Sequence, residues 1–433
     1  MFNSSTNAID IAKTIELLID EKQLNYGDKL PSIRTLAKLL GVSPSTTASS
    51  YARLERTGAI TSSGRNGTKV TKSEIRHPRA RVFQMSPNQV DTRALDLSTG
   101  FPDPLLLPNP SNALSSLLLE TSDHKFLNRS VCDELREPLE KLFQDPSRHL
   151  TVVNGSLDAI DRTLALYCQP KDKVIVEEPN FPAILDLIDA HKLIPIPVEM
   201  DEFGIDPDST RKALQQKPQA IIIQPRAQNP SGASITHQRL LDIAGVLEKH
   251  PETLIIEDDH SGLVCLQERI TLGNYFPDRT ITIFGFSKSH GPDLRISAVI
   301  GPKELISKLD ARRRLGPSWT SELLQRILAY FLVDPTSIKT VDFARTEYQR
   351  RLHDFINATK QAGIHINSTD GLNAWVPTSS NTGLITELAR NSIVVAPGNA
   401  FYLDSAHMGF VRITTASLDQ LPEQLLDSLS HWS

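Results

Sequence analysis

Four short runs of mostly β-branched residues, Val174–Val176, Ala220–Ile223, Leu254–Ile256 and Ile281–Phe284, recur along the chain with helical lengths of sequence between them. A run that is apolar at every position suits a strand buried on both faces, and a sheet of such strands is mainly parallel with helices on either side. The chain from Leu95 onward is therefore expected to form a doubly wound α/β domain. Beyond about Pro302, helices and a smaller sheet region predict a small C-terminal lobe. No apolar run approaches a membrane span, and Met1 to Asp20 lacks the continuous apolar stretch of a signal peptide, so a cytoplasmic location is expected. Cys132, Cys168 and Cys265 lack metal-ligand spacing, which argues against a zinc site or a disulfide framework.

Reactive groups in α/β folds sit where parallel strands end. The run Ile281–Phe284 leads into Gly285-Phe286-Ser287-Lys288-Ser289-His290-Gly291-Pro292, with Arg295 close behind. A lysine in a partly dry position gives up its proton more easily than a solvated one, so its amine can attack an aldehyde to form a Schiff base. The Ser287 and Ser289 hydroxyls and the Arg295 guanidinium suit a phosphate ester. An aldehyde and a phosphate together describe pyridoxal 5'-phosphate.

Other strand ends and helix starts support that reading. Asn154-Gly155-Ser156 opens a helix whose free N–H groups suit a phosphate. Phe181, after Val174–Val176, can lie over a flat ring. Asn229, after Ala220–Ile223, can donate to a phenolic oxygen. In Glu257-Asp258-Asp259-His260 a carboxylate can keep a pyridine nitrogen protonated, and the run leaves Asp258 and Asp259 as alternatives. Late in the chain, Arg412 offers a guanidinium to a substrate or effector carboxylate.

The N-terminal region has a different character. Met1 to Phe83 holds 13 Lys plus Arg against 7 Asp plus Glu, a balance of +6, while the whole chain is at −5 and the remainder therefore at −11. A basic head on an acidic body points to a polyanion as partner. The pattern predicts a helix from about Ile9 to Leu24, a second from Pro31-Ser32 through Leu40 with Ile33, Leu36 and Leu39 on its buried face, and a third from Ser45 to about Thr57 with Ser43 as N-cap. Two short strands around Gly58–Thr61 and Ser63–Val70 then form a wing. Residues 73–94 read as a linker without sustained periodicity.

Asp28-Lys29-Leu30-Pro31-Ser32-Ile33-Arg34, Leu40-Gly41-Val42-Ser43, Tyr51-Ala52-Arg53-Leu54 and Gly67-Thr68 resemble the winged helix-turn-helix of the GntR family of bacterial regulators. The resemblance implies double-stranded DNA as partner for residues 1–72. It assigns Ser32, Arg34, Ser43, Ser45, Thr46 and Thr47 to DNA contacts, and Arg65 and Thr68 to the wing's. Pro44 stands where many relatives have Arg, removing a contact. Residues 95–433 resemble the fold-type I, aspartate-aminotransferase-like proteins, and the combination resembles the MocR subfamily.

That resemblance implies Lys288 as the Schiff-base lysine and Asp258 (or Asp259) at the pyridine nitrogen. It places Asn229 and His260 near the ring oxygen, Phe181 stacked on the ring, Gly155, Ser156, Ser287 and Arg295 on the phosphate, and Arg412 on a carboxylate. His260 replaces a usual Tyr, Phe126 an aromatic that is often Tyr, and Ile296-Ser297-Ala298 a commoner Gly-aromatic pair. A homodimeric regulator that senses pyridoxal phosphate or its adduct with an amine or amino acid, in vitamin B6 or amino-compound metabolism, is the expected function. A working aminotransferase carrying a DNA-binding head is the alternative.

Overall fold

The computed structural model describes residues 8–20, 23–56, 60–63, 67–70, 81–85, 94–118, 130–145, 148–404 and 409–433. The chain divides into two compact units, Met1–Arg79 and Ala80–Ser433.

In the first unit, helices Ala8–Asp20, Ile33–Leu40 and Pro44–Arg56 enclose a core of Ile11, Ala12, Ile15, Tyr51, Leu54 and Ile60. Local chemistry sets the turn between the second and third helices. Ser32 caps the second helix by accepting from the Thr35 N–H at 3.2 Å, and Gly41 ends it at φ +67°, a conformation that favours glycine. Ser43 caps the third by accepting from the Thr46 N–H at 3.1 Å, so that helix begins at Pro44, one residue before the expected start.

The buried face of the second helix is not the expected one. Ala37 is buried and Leu36 and Leu40 pack beside the core, whereas Ile33 and Leu39 are 37% and 69% exposed. Strands β1 (Ile60–Ser63) and β2 (Gly67–Val70) pair antiparallel. Gly27 and Leu30 donate from their N–H groups to Val70 and Thr68, adding a third extended segment to the ribbon.

The second unit opens on the short helix Arg81–Gln84. Arg81 is buried between Asp186 (3.1 Å) and Asp189 (2.9 Å), so this part of the expected linker is an anchor and not a solvated tether. The strands that follow are β3 (Leu95–Leu97), β4 (His149–Val153), β5 (Lys173–Glu177), β6 (Ile194–Val198), the two-residue pair β7 (Met200–Asp201) and β8 (Gly204–Ile205), β9 (Ala220–Ile223), β10 (Leu254–Asp259), β11 (Thr280–Gly285), β12 (Ser297–Gly301), β13 (Asn373–Pro377), β14 (Ile393–Pro397) and β15 (Phe410–Thr414).

The seven-stranded sheet runs β4-β12-β11-β10-β9-β5-β6. Its strands are parallel from β11 to β6, while β12 lies antiparallel to both neighbours. All four runs read from the sequence are strands of this sheet, and β5, β9, β10 and β11 end along one edge. The four-stranded sheet, ordered β13-β15-β14-β3, forms the small lobe. Its last strand comes from the start of the unit: Leu95 pairs with Ile393, so this lobe is not confined to residues beyond 302. The 27-residue helix Pro335–Gln361 supplies Leu352 and Phe355 to the small-lobe core. Its Arg351 binds Asp103 at 2.9 Å and its Tyr348 hydroxyl accepts from the Asp103 N–H, which fixes the segment after β3.

In the first unit, the buried Tyr51 hydroxyl donates to the Pro31 carbonyl at 2.7 Å, tying the third helix to the start of the second. Tyr51→Phe keeps the ring and loses this bond, so chemical denaturation should show a loss of about 1 kcal/mol.

Candidate functional site

Strand parity decides the acidic run at the end of β10. Side chains alternate across a sheet, so Glu257 and Asp259 point one way and Asp258 the other. Glu257 accepts from the Thr271 and Thr282 hydroxyls (2.5 and 2.7 Å) and the Leu272 N–H (2.6 Å). Asp259 is paired with Arg226 at 2.6 Å. Asp258 is buried, yet its Oδ1 has no hydrogen-bond partner among the described residues. Burial pushes its carboxyl up to about 7 against the opposing influences of the Ser156 hydroxyl and Lys288. Of the two aspartates, only Asp258 has an oxygen to offer a ligand.

Lys288 follows β11, as expected, and its Nζ donates to the Gly100 carbonyl at 2.5 Å and lies 5.5 Å from the Phe101 ring centre. Burial first, then the nearby Arg412 charge, lowers its amine to about 8. At pH 7 this makes roughly one amine in ten neutral, against about one in 3,000 at the ordinary value. Gly100 and Ser98 went unread in the sequence because they act through backbone carbonyls, which every residue has.

The structure brings Gly155 and Arg295, two of the residues expected at the phosphate, together, with Ser156 next in the chain. Gly155, at φ +102°, precedes the helix Ser156–Tyr167, and Arg295 donates to the Asn154 carbonyl at 3.3 Å. A Cβ on Gly155 would meet the Arg295 guanidinium at 2.9 Å, so only glycine lets the guanidinium lie there. Ser156 Oγ is 3.1 Å from Ser297 Oγ. Ser287 is half-buried beside Lys288. Ser289 departs from expectation: it is buried, donates to the Phe286 carbonyl and faces His290, so its hydroxyl is turned away from the corner. Phe181 begins the helix Pro182–Ala190 and packs half-buried in the same cluster as Phe401.

Arg412 is fully buried. It donates to Asn229 Oδ1 at 3.1 Å and to the Ser98 carbonyl, and its guanidinium lies 5.1 Å from the Phe401 ring centre. Its Nε has no partner among the described residues, and burial lowers the group to about 9. A buried cation without a bonded carboxylate suits an anionic ligand. Asn229 is itself held by its N–H to Gln224 Oε1 at 2.7 Å, and Gln224 is held by its N–H to Glu177 at 2.9 Å. His260 is committed elsewhere. Its Nε2 lies 3.1 Å from the Ala227 carbonyl, and burial and neighbouring cations push it down to about 3, so the ring is neutral and Nε2 is the donor.

The residues fit pyridoxal phosphate on the structure's own terms: an unpartnered buried acid, a lysine with a lowered pKa, and a glycine-only corner with a guanidinium and a helix N-terminus.

In the first unit, Ser32, Arg34, Ser43 and Ser45 are exposed and Thr46 and Thr68 half-buried. Ser43, Ser45 and Thr46 form a hydroxyl cluster at the start of the third helix, with Oγ distances of 2.7 and 2.8 Å from Ser43. Thr47 does not join them. It is fully buried, on the same helical face as Ser50, Tyr51 and Leu54, and cannot reach DNA from there. Ser49 and Arg53 share the exposed side with Ser45. Arg65 and Phe126 lie outside the described residues.

Titration, denaturation and cofactor binding test the site. Asp258 has a folded pKa above its unfolded value, so the folded chain binds more protons between pH 3.8 and about 7 and loses stability as pH rises through that window. Asp258→Asn should flatten that slope and weaken pyridoxal phosphate binding at least tenfold, whereas Asp259→Asn, which strands Arg226, should cost about 3 kcal/mol in denaturation. For Lys288 the rate of pyridoxal phosphate capture, followed by visible absorbance, should rise with pH around a midpoint near 8 and level off above it.

The model of aminotransferases of class I and II matches residues 92–428, more than half of the chain, and that of the gntR family of bacterial regulatory proteins matches residues 7–70. The vitamin B6 salvage pathway transcriptional repressor PtsJ of Salmonella typhimurium is 32% identical over 417 residues, 95% of this chain and 95% of the relative. The HTH-type transcriptional regulator YdcR of Escherichia coli is 26% identical over 90% of this chain and 91% of its own. Among solved structures, the α-aminoadipate aminotransferase LysN of Thermus thermophilus shares the fold with a TM-score of 0.69 at 19% identity, over 78% of this chain and 90% of that one. The chain thus belongs to the GntR-type transcriptional regulators of the MocR kind, in which a winged helix-turn-helix is joined to an aminotransferase-like unit for pyridoxal phosphate.

Proposed function

We propose that the chain is a homodimeric transcriptional regulator that holds pyridoxal phosphate at Lys288 and changes its grip on DNA when that cofactor, or its adduct with an amine or amino acid, is bound. The observation that carries this reading is the unpartnered, buried Asp258 oxygen beside a lysine of lowered pKa, in a chain that also has a DNA-binding unit. Control of vitamin B6 metabolism, the role named for the PtsJ relative, fits that pairing.

In this reading Lys288 captures the aldehyde, Asp258 accepts from the pyridine N–H, and Phe181 covers the ring. Asn229, its Oδ1 already taken by Arg412, turns its amide donors to the ring oxygen. Gly155, Ser156, Ser287 and Arg295 hold the phosphate, and Arg412 receives a carboxylate. His260 keeps its Nε2 proton on Ala227 and adds shape, not a donor. The cofactor, when bound, supplies a reactive aldehyde and an electron-withdrawing ring. Ser32, Arg34, Ser43, Ser45, Thr46 and Thr68 face the DNA backbone or bases.

A regulatory role is favoured over turnover by how the relatives align. PtsJ and YdcR align over 95% and 90% of this chain, whereas the aspartate aminotransferase of Pyrococcus abyssi aligns over 70%.

Fluorescence anisotropy with duplex DNA from the chain's own upstream region tests the proposal. Saturating pyridoxal phosphate should shift the wild-type dissociation constant at least fivefold and leave Lys288→Ala unmoved. Equal wild-type affinity with and without it would sink the sensing role.

A further inference from the structure

A second cavity, of about 410 Å³, lies between the two lobes of the aminotransferase-like unit. None of the residues assigned above to pyridoxal phosphate lines it. The large lobe contributes Glu178 and Pro179 after β5, Glu199 to Glu202 around β7, and Ser231; the small lobe contributes Ser368, Trp375, Tyr402 and Phe410.

Its walls are held by cross-lobe bonds. The Ser368 hydroxyl donates across the lobes to the Ser231 carbonyl at 2.7 Å and is fixed within the small lobe by the Trp375 N–H at 3.0 Å. The Leu403 N–H donates to Glu178 Oε1 at 3.0 Å. Gly232, at φ +72°, permits the approach, since a Cβ there would meet Ser368 at 2.9 Å.

Two features define what such a cavity can take. One wall is aromatic: Trp375 stacks on Phe410 with centroids 5.2 Å apart and an interplanar angle of 3°, and Tyr402 tilts against it at 6.3 Å. The rim is acidic: Glu178, Glu199, Asp201 and Glu202 line it together with His365, and no Lys or Arg among the described residues does. Arg239 neutralises Asp201 at 2.7 Å, which leaves Glu178, Glu199 and Glu202 as the carboxylates without an ion pair among the described residues, Glu178 accepting from the Leu403 N–H. An aromatic wall under an anionic rim attracts an organic cation through ring quadrupole and charge together, and rejects an anion. The volume suits a small molecule.

We propose that this interlobe cleft binds a small organic ammonium compound, separately from the Lys288 site, and that the two occupancies are coupled. Phe401 links them: its ring lies 5.3 Å from Trp375 on one side and 5.1 Å from the Arg412 guanidinium on the other. A cation in the cleft bridges both lobes and favours the arrangement that places Arg412, on β15, against Asn229 of the large lobe. By linkage, the ligand at Lys288 strengthens the cation's binding by the same factor.

The test uses the full chain with choline, a quaternary ammonium that cannot react with an aldehyde, and 3,3-dimethylbutan-1-ol, its uncharged counterpart of the same shape. Saturation-transfer NMR and tryptophan fluorescence should show saturable choline binding at least fivefold tighter than the alcohol. The preference should persist in Lys288→Ala and disappear in the surface double variant Glu199→Gln, Glu202→Gln. Saturating choline should lower the pyridoxal phosphate dissociation constant at least twofold in wild type and not in the double variant. No choline binding, equal binding of the alcohol, or a preference lost in Lys288→Ala and kept in the double variant overturns the site. An unchanged pyridoxal phosphate affinity overturns the coupling. Because the Lys288→Ala arm reads the cleft without the cofactor, failure of the proposed sensing role and failure of this one are separately visible.

Discussion

Burying Lys288, Asp258 and Arg412 close together is the constraint on which the rest of the aminotransferase-like unit depends. Each would rather be in water, and taking such groups out of it shifts their proton affinity toward the neutral form. The amine falls, the carboxyl rises and the guanidinium falls. The protein offsets part of this with fixed dipoles: the Gly100 carbonyl for the amine, and the Ser98 carbonyl and Asn229 amide oxygen for the guanidinium. These partners come from both lobes, so the site exists only where the lobes meet. What the dipoles leave unmet, Asp258 Oδ1 and Arg412 Nε, is where a ligand has most to contribute.

The surroundings serve this arrangement through bonds that never reach the ligand. Glu177, buried at the end of β5, accepts from Gln224 and Gln228, and burial pushes its carboxyl up to about 8. Gln224 in turn holds the backbone of Asn229, and Gln228 holds Ser231. The loop that carries Asn229 is thereby pinned to the sheet by buried polar contacts. Such a network favours one geometry because a displaced member leaves another unpaired in a dry place. Arg226 and Asp259 do the same on the opposite face of β10.

The sequence made the large sheet legible because strands buried on both faces announce themselves as unbroken apolar runs, and the four runs are β5, β9, β10 and β11. It made Lys288 legible because a charged group just after a buried strand needs an explanation, and Arg412 because a guanidinium inside an apolar strand does. It could not settle Asp258 against Asp259, since a run of adjacent acids has no parity until the strand's facing is known. It could not show that Leu95–Leu97 belongs to the small lobe, because the partner strand lies at Ile393–Val395 and no local pattern reports so distant a pairing. Thr47 illustrates a subtler failure. Neighbouring hydroxyls at the start of a helix looked alike, but about half a turn of helix separates Thr47, which lies over Tyr51 and Leu54, from Ser45, which stays outside. Ser98 and Gly100 act through their carbonyls, which every residue has, so no reading of residue types could have chosen them.

The placement of the Lys288 site and of the aromatic cleft at the lobe boundary bears on how such a unit signals. A ligand moves an equilibrium only by binding its two states unequally. A site built within one rigid lobe discriminates poorly between open and closed arrangements, because its walls are the same in both. Lys288 and Asp258 belong to the large sheet, while Arg412 and the Ser98–Phe101 segment follow the small one, so ligands that need both sets feel the distance between lobes directly. The aromatic cleft behind Phe401 has the same construction, with carboxylates on one lobe and rings on the other. A regulator needs this differential more than it needs turnover, and a fold that evolved to close around a substrate already supplies it. Losing a proton donor at His260 costs such a protein little, since its output is a difference in binding free energy and not a rate.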